Sequence, residues 1–453
     1  MLPLTGSLAL AIGSIATVIV LIAPKYALAL LALAVPYGDL VRIPVGGLDV
    51  TAAEVMLGLI VAAWLARSIS GEGIVLRCPI VWVPLGAVLV VALLSAAGAP
   101  ALSLALKEIV KWLEFGLAMT LAIQLVETDR DRRFVVAAVL LACASQAVYG
   151  LYQTAADAGP IGFLLGGSIR AFGTFDQPNP FAIYLATGLT LAIGLGMSIV
   201  RSGWRRLISP FGLLLLICAF VIAEAVLASS SRSAWLALVA AVGVMIALQG
   251  RRFALAGVGA VLLVLGFGIV GGFSVLPASI TARLSILSEN FSLFDARDAL
   301  VTTQNFAVVH RMAIWQAAWD MFLDHPLLGV GPGNFDFHYL DYALPKWDEP
   351  PGHAHNYFLN LLAEQGVLGL GAYITMIGSL AMLLLRTLRS LPNSMGTDWW
   401  LSHGLVSGAL GVLALLTVQH AFDNLYVHSI GIQIGLLVGL GLGTQQAAPK
   451  DTA

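Results

Sequence analysis

Runs of about twenty apolar residues, separated by short polar segments, recur along nearly the whole chain. They lie near 50–67, 79–97, 101–124, 134–155, 180–200, 211–229, 233–249, 253–272, 356–385, 399–419 and 425–443. A helix of that length crosses the hydrocarbon core of a bilayer and satisfies its own backbone hydrogen bonds there, so each run predicts a transmembrane helix. Residues 7–36 add one or two more, interrupted at Pro24 and Lys25. They read as membrane segments, not as a removed signal, because they lack a basic n-region and a small-residue cleavage site. The pattern predicts an all-α integral membrane protein, a polytopic bundle of about twelve transmembrane helices forming one membrane domain. Only 273–355 is long and fails as a span. The chain therefore divides into N-terminal membrane helices (1–272), one large loop with an amphipathic helix (273–355) and C-terminal membrane helices (356–453).

Composition agrees with this division. With 59% hydrophobic and 11% charged residues over 453 positions and a mean hydropathy of +0.92, most of the chain needs lipid as its solvent. The formal net charge of −2, with no long basic run outside the short loops, excludes nucleic acid as a partner. Cys78, Cys143 and Cys218 lie in or beside separate apolar segments without CxxC spacing, which predicts neither a disulfide framework nor a cysteine metal site.

Positive charge in the short loops gives the orientation. Arg67 and Arg77, Arg130, Arg132 and Arg133, Arg201, Arg205 and Arg206, Arg251 and Arg252, and Arg386 and Arg389 all fall on one side of the predicted spans. That side is cytoplasmic. Segments 156–179, Ser229 to Arg232, 273–355 and 420–424 then face outside, and the large loop is periplasmic or extracellular. Arg170, Arg232 and Arg311 stand on the wrong side for topology, so something other than orientation requires them.

Arg232, in Ser-Ser-Ser-Arg-Ser-Ala-Trp (229–235), ends one apolar run and begins the next. It is either a snorkelling interface residue or part of a site. Arg170 opens a turn-rich segment through Pro180, where a salt bridge to Asp176 competes with a ligand role. Arg311, Trp315, Ala318 and Phe322 follow helical spacing, which predicts an amphipathic helix on or dipping into the membrane. Its arginine also suits a lipid-linked phosphate, which a guanidinium binds bidentately. Beyond it, the glycine-rich Pro326 to Phe335 stretch offers backbone N–H groups to an anion.

The strongest local signal runs from Gly352 to Leu370. His353 and His355 enter a membrane helix, and Asn356, Asn360 and Glu364 recur at i, i+4, i+8 as a polar stripe that must face protein or water. Histidine titrates near neutrality and serves as a general base, although a hydrogen-bonded interface role also fits. Zinc on the two histidines is disfavoured, because no further His or Glu occurs at helix-matched ligand spacing. Elsewhere Lys107, Lys111 and Glu114, with Glu108 adjacent, form an ion-pair stripe or part of a substrate path. Glu54 and Glu224 are isolated in their spans, and His420, Asp423, Asn424 and His428 cluster at an outer end.

Five elements together resemble the O-antigen ligase and O-antigen polymerase superfamily. They are Gly-Thr-Phe-x-x-Pro-Asn-Pro-Phe at 173–181, Ser-Arg-x-x-Trp at 231–235, Arg-x-x-x-Trp from 311, Pro-Leu-x-Gly-x-Gly at 326–331, and the His-x-His-Asn to Gly-Leu segment at 353–370. The resemblance implies a GT-C-like bacterial inner-membrane glycosyltransferase with its active site facing the periplasm or cell exterior. The donor it implies is a glycan on undecaprenyl pyrophosphate; the acceptor is lipid A-core or a growing glycan. No metal or other cofactor is implied. Carried over by motif, Arg232 and Arg311 bind the pyrophosphate, and His355, or His353 beside it, is the catalytic base; Arg170 joins the pyrophosphate set from topology alone. A transporter or flippase for an anionic or lipid-linked glycan is the rival class, and it predicts paired half-repeats and helices broken near the midplane. A non-catalytic scaffold of an envelope-synthesis complex does not require three outer arginines and a histidine pair.

Overall fold

The computed structural model describes residues 17–45, 48–71, 73–250, 252, 255, 295–297, 299–302, 305–392 and 399–444. The helices among them are α1 (Pro24–Ala34), α2 (Ala52–Ser70), α3 (Trp82–Ala96), α4 (Leu102–Leu125), α5 (Asp129–Ala155), α6 (Pro178–Gly203), α7 (Pro210–Ala228), α8 (Arg232–Leu248), α9 (Phe306–Asp324), α10 (Phe335–Tyr342), α11 (Tyr357–Ser390), α12 (Trp399–Gln419) and α13 (Ile430–Leu442). An antiparallel hairpin pairs β1 (Arg42–Val45) with β2 (Leu48–Thr51), Arg42 opposite Thr51. A smaller one pairs β3 (Leu164–Leu165) with β4 (Ser168–Ile169).

Seven helical stretches among the described residues are long and apolar enough to cross a membrane: Ala52–Ser70, Pro79–Ala96, Asp129–Ala155, Pro178–Ile208, Pro210–Ala228, Tyr357–Ser390 and Trp399–Gln419. The apolar α8 and α13 are shorter. The apolar runs read at 50–249 and 356–443 each coincide with a helix, so the chain is an all-helical polytopic membrane protein; the expected span at 253–272 and the first part of the large loop lie outside the described residues. The last helix begins at Ile430, not at 425, because His428 and Ser429 bend the chain with φ of 52° and 59°.

The outside of the bundle is apolar, with Leu213, Leu216, Ile217 and Phe220 of α7 and Val90, Leu93 and Leu94 of α3 exposed, as lipid requires. Inside, small residues let backbones touch. A Cβ on Gly194 of α6 would lie 2.8 Å from Cα of Gly408 in α12, and one on Gly439 of α13 would lie 2.4 Å from the carbonyl of Met119 in α4.

The two ends of the bundle differ chemically. At one, Lys25 pairs with Asp131 at 3.2 Å, Arg77 with Glu127, and Arg132 donates to the Gly443 carbonyl at 3.1 Å. Arg201, at the C-terminal end of α6, donates to Gln249 there. The other end, where α6 begins, gathers Arg42, Arg170, Asn179, His355 and Asp423.

Helix α11 breaks at Gly366, which has φ 63° and ψ −166°. The freed backbone groups are taken by residues 326–331. Val367 N–H donates to the Pro326 carbonyl and Leu368 N–H to that of Leu327, while Val330 and Gly331 N–H donate to the carbonyls of Ala363 and Glu364. Two glycines make the interlock possible: a Cβ on Gly366 would sit 2.3 Å from C of Leu327, and one on Gly329 would sit 2.2 Å from C of Glu364. This corrects the reading of the glycine-rich stretch as an anion cradle, because the N–H groups of Gly329, Val330 and Gly331 are spent on backbone carbonyls. The broken helix is filled by protein, not by a transport cavity.

Candidate active site

The polar stripe on α11 proves to be the fastener of the loop above it. Asn356 caps the helix, its Oδ1 accepting from the N–H groups of Phe358 and Leu359. Asn360 Oδ1 accepts from Ala354 N–H at 3.0 Å, and Glu364 Oε1 from Phe335 N–H at 3.2 Å. The amphipathic α9 lies across this support. Its buried stripe is Ile314, Ala317, Ala318 and Met321, packed with Phe335, Tyr339, Ala354 and Ala363. That face differs from the Arg311, Trp315, Ala318, Phe322 face expected against lipid: the apolar stripe has the chain's own α10 and α11 to cover it.

Arg170 is held by a different scaffold. Gln153 of α5 donates to the Gly173 carbonyl at 2.8 Å and accepts from Phe172 and Gly173 N–H, while Gln146 accepts from Thr174 N–H. The Gly-Thr-Phe element thus turns on two buried glutamines, with Gly173 at φ 59°. Arg170 Nε donates to the Ser229 carbonyl at 2.7 Å, and its Nη2 to Asn179 Oδ1 at 3.3 Å. The expected alternative, an ion pair with Asp176, is not what the structure shows; Asp176 pairs with Arg42 at 3.7 Å.

The Ser229 turn that Arg170 grips carries Arg232. Ser230 adopts φ 52°, Ser229 Oγ accepts from Ser231 N–H, and Trp235 Nε1 donates to the Val226 carbonyl at 3.1 Å, so the tight turn starts α8 at an exposed Arg232. A guanidinium at a helix N-terminus opposes the helix dipole. The same place favours an anion, and a bound anion would relieve both.

The two histidines converge on one carboxylate from the 420–429 segment. Asp423 Oδ1 lies 3.4 Å from His355 Nδ1 and 3.5 Å from His353 Nε2, and Asn179 Nδ2 donates to Asp423 Oδ2 at 3.4 Å. His353 Nδ1 accepts from His355 N–H at 3.0 Å. That bond fixes its tautomer, with the proton on Nε2 toward Asp423. Burial lowers the His353 pKa to about 4 despite Asp423, keeping it neutral. Burial raises the Asp423 pKa, but the His355 hydrogen bond and the charges of both histidines outweigh this and hold it below the usual carboxylate range. His355 sits at φ 47°, a left-handed conformation that costs a non-glycine residue about 1–2 kcal/mol and recurs at functional sites.

Arg311 completes the group. Burial lowers its pKa; the charge of Asp423 opposes this and that of Arg232 adds to it. Burial and Arg232 likewise lower that of Arg170. The structure therefore brings all five expected residues, Arg170, Arg232, Arg311, His353 and His355, into one electrostatic neighbourhood. Among the described residues, the guanidinium groups of Arg232 and Arg311 make no hydrogen bond or ion pair. Sequence reading missed the choice of Asp423, because its tie to the histidines crosses 68 positions. It also missed Asn179. The donor atoms of His353, His355 and Asp423 lie within 4.8 Å of one another, so the third cation ligand absent from helical spacing arrives from another loop.

Residues 214–374 match the family described as O-antigen ligase, a segment that contains Arg232, Arg311, His353 and His355 but neither Arg170 nor Asp423. A teichuronic acid biosynthesis protein, TuaE, of Bacillus subtilis is 26% identical over 263 residues, 56% of this chain and 49% of its own. An O-antigen ligase of Salmonella typhimurium is 26% identical over 223 residues, 48% of this chain and 50% of its own. The chain thus spans about half the length of these curated relatives. Through its central segment and the motifs gathered at this site, the chain is similar to the O-antigen ligase and polymerase superfamily.

Proposed function

We propose that the protein is a bacterial inner-membrane glycosyltransferase that moves a glycan from undecaprenyl pyrophosphate to an acceptor hydroxyl, on lipid A-core or on a growing polysaccharide, without a metal. In this reading about twelve helices cross the membrane, and 273–355 closes over the site on the periplasmic side. The observation that carries it is the pair of guanidinium groups, Arg232 and Arg311, that have no hydrogen-bond or ion-pair partner among the described residues, beside an Asp423–His355 couple.

Negative charge grows on the pyrophosphate as the anomeric bond breaks. Cations fixed at that place stabilise the leaving group more than the ground state. His355 is the better base of the two. With Nδ1–H directed at Asp423, its Nε2 is left bare to accept a proton, whereas His353 Nδ1 is occupied by the His355 N–H. The acceptor oxygen attacks the anomeric carbon from the face opposite the phosphate and inverts it. The bonding pair leaves with undecaprenyl pyrophosphate, and the hydroxyl proton passes to His355. Asp423 holds the ring and stabilises the imidazolium that forms.

Purified protein in proteoliposomes, given a synthetic undecaprenyl-pyrophosphate oligosaccharide in EDTA, tests the reading. Arg232→Ala, Arg311→Ala and His355→Asn should each reduce transfer by about 10²–10⁴-fold with near-normal membrane insertion. Asn tolerates the left-handed backbone at 355, so this variant removes the base without the strain. Full activity in His355→Asn, or activity lost in EDTA and restored by zinc, would sink the proposed chemistry. Mass analysis of the product separates ligase from polymerase.

A further inference from the structure

A polar cavity of about 240 Å³ is lined in part by Tyr426 to Ser429, a few residues beyond Asp423. Arg42, Lys107 and Lys111 line it, together with Asp39, Asp49, Glu54 and Glu114. Its electrostatic character differs from that of the arginine site: three cations meet four carboxyl groups here, whereas three guanidinium groups meet one carboxylate there. An anion gains little from a lining of that kind. A neutral polyhydroxylated molecule gains from both halves, since each hydroxyl donates to a carboxylate and accepts from an ammonium or guanidinium group.

Connections tie the cavity to the arginine and histidine site. His428 pairs with Asp39, and Thr51 Oγ1 lies 3.3 Å from Ser429 Oγ, so the β1–β2 hairpin is latched to the segment whose Asp423 holds the histidines. Arg42 reaches Asp176 at 3.7 Å, on the loop that presents Arg170. Among the described residues, Asp49, Lys107 and Glu114 make no side-chain hydrogen bond or ion pair; Asp49 and Lys107 are exposed and Glu114 is half-buried. The volume is below the roughly 300–1,000 Å³ that encloses a drug-sized molecule, and it suits a single ring.

We propose that this charge-balanced cavity binds one neutral sugar unit of the acceptor glycan. The inference rests on the transferase reading for the word acceptor, and its test is kept separate from that reading.

The experiment uses the full chain in nanodiscs and saturation-transfer NMR with methyl glycosides of neutral hexoses, and with glucuronate, glucosamine and phosphoethanolamine as competitors. At least one neutral glycoside should receive saturation from the wild type, and the signal should fall about tenfold in Asp49→Asn/Lys107→Met, the loss of two hydrogen bonds. His355→Asn should keep it. The absence of any neutral-glycoside signal, an undiminished signal in the double variant, or stronger occupancy by a charged competitor overturns the proposal. A parallel arm measures undecaprenyl pyrophosphate binding by tryptophan quenching. Retention of that binding in Asp49→Asn/Lys107→Met shows that this variant is folded, and loss of it in Arg232→Ala/Arg311→Ala tests the donor site independently.

Discussion

Replacing Asp423 by Asn tests the centre of the proposed chemistry, because it keeps the shape of the side chain and removes its charge. Asp423 Oδ1 is shared between His355 Nδ1 at 3.4 Å and His353 Nε2 at 3.5 Å, so the perturbation reaches both rings at once. A hydrogen bond to a charged group contributes about 1.5–3 kcal/mol; if that stabilisation is fully expressed on the imidazolium in the transition state, kcat falls by about 10- to 150-fold. The upper part of the range is expected. An amide nitrogen turned toward His355 would donate to Nδ1 and drive the ring proton to Nε2, the atom that must be bare. Donor KM should stay level or fall, since the negative charge beside Arg311 is gone while the guanidinium remains. Single-turnover transfer in proteoliposomes measures this, with Asp423→Glu as the partial rescue. A kcat within about twofold of wild type, in preparations where His355→Asn is inactive, would refute the couple.

Three further outcomes follow from other parts of the structure. Gly366→Ala should lower the thermal unfolding midpoint, because the residue sits at φ 63° with its Cβ 2.3 Å from the Leu327 backbone. The left-handed backbone alone costs about 1–2 kcal/mol; adding Gly329→Ala should cost less than the sum, since both glycines serve one interlock, and an unchanged midpoint refutes the interlock. His353, depressed from 6.5 to about 4, should destabilise its loop on acidification. The unfolded chain takes up the proton first, so stability present above pH 6.5 is lost progressively toward pH 4, by about 3 kcal/mol at most. Hydrogen exchange across 353–361 reads this loss, and His353→Asn should flatten the pH dependence. Arg170→Lys cannot span Ser229 and Asn179 as the guanidinium does; transfer should fall about tenfold for the loss of one charge-assisted bond, and wild-type activity would show that the fork is idle.

The membrane class was legible because lipid permits few solutions to the backbone hydrogen-bonding problem. Apolar runs therefore translate almost directly into helices such as α2, α6 and α12. The out-of-place charges were legible for a related reason: a cation that does not serve topology needs another use, which singled out Arg170, Arg232 and Arg311. One local reading failed on tertiary grounds: the Pro326–Phe335 stretch has the glycines of an anion loop, yet they are needed for contact with the broken α11. The i, i+4, i+8 stripe of Asn356, Asn360 and Glu364 faces protein, one of the two environments its pattern allowed, and its side chains hold neighbouring N–H groups.

By itself, the sequence determined the helical membrane architecture and the cast of cations and histidines, because hydropathy and charge act locally along the chain. Tertiary structure alone decided that Asp423, 68 residues beyond His355, is the carboxylate that orients it. It also decided that the 420–429 segment carries Asp423 to the cationic site and Tyr426 to Ser429 to the lining of a charge-balanced cavity. Such choices depend on which loops the packed helices bring to the same end, and no spacing rule along one segment encodes that proximity.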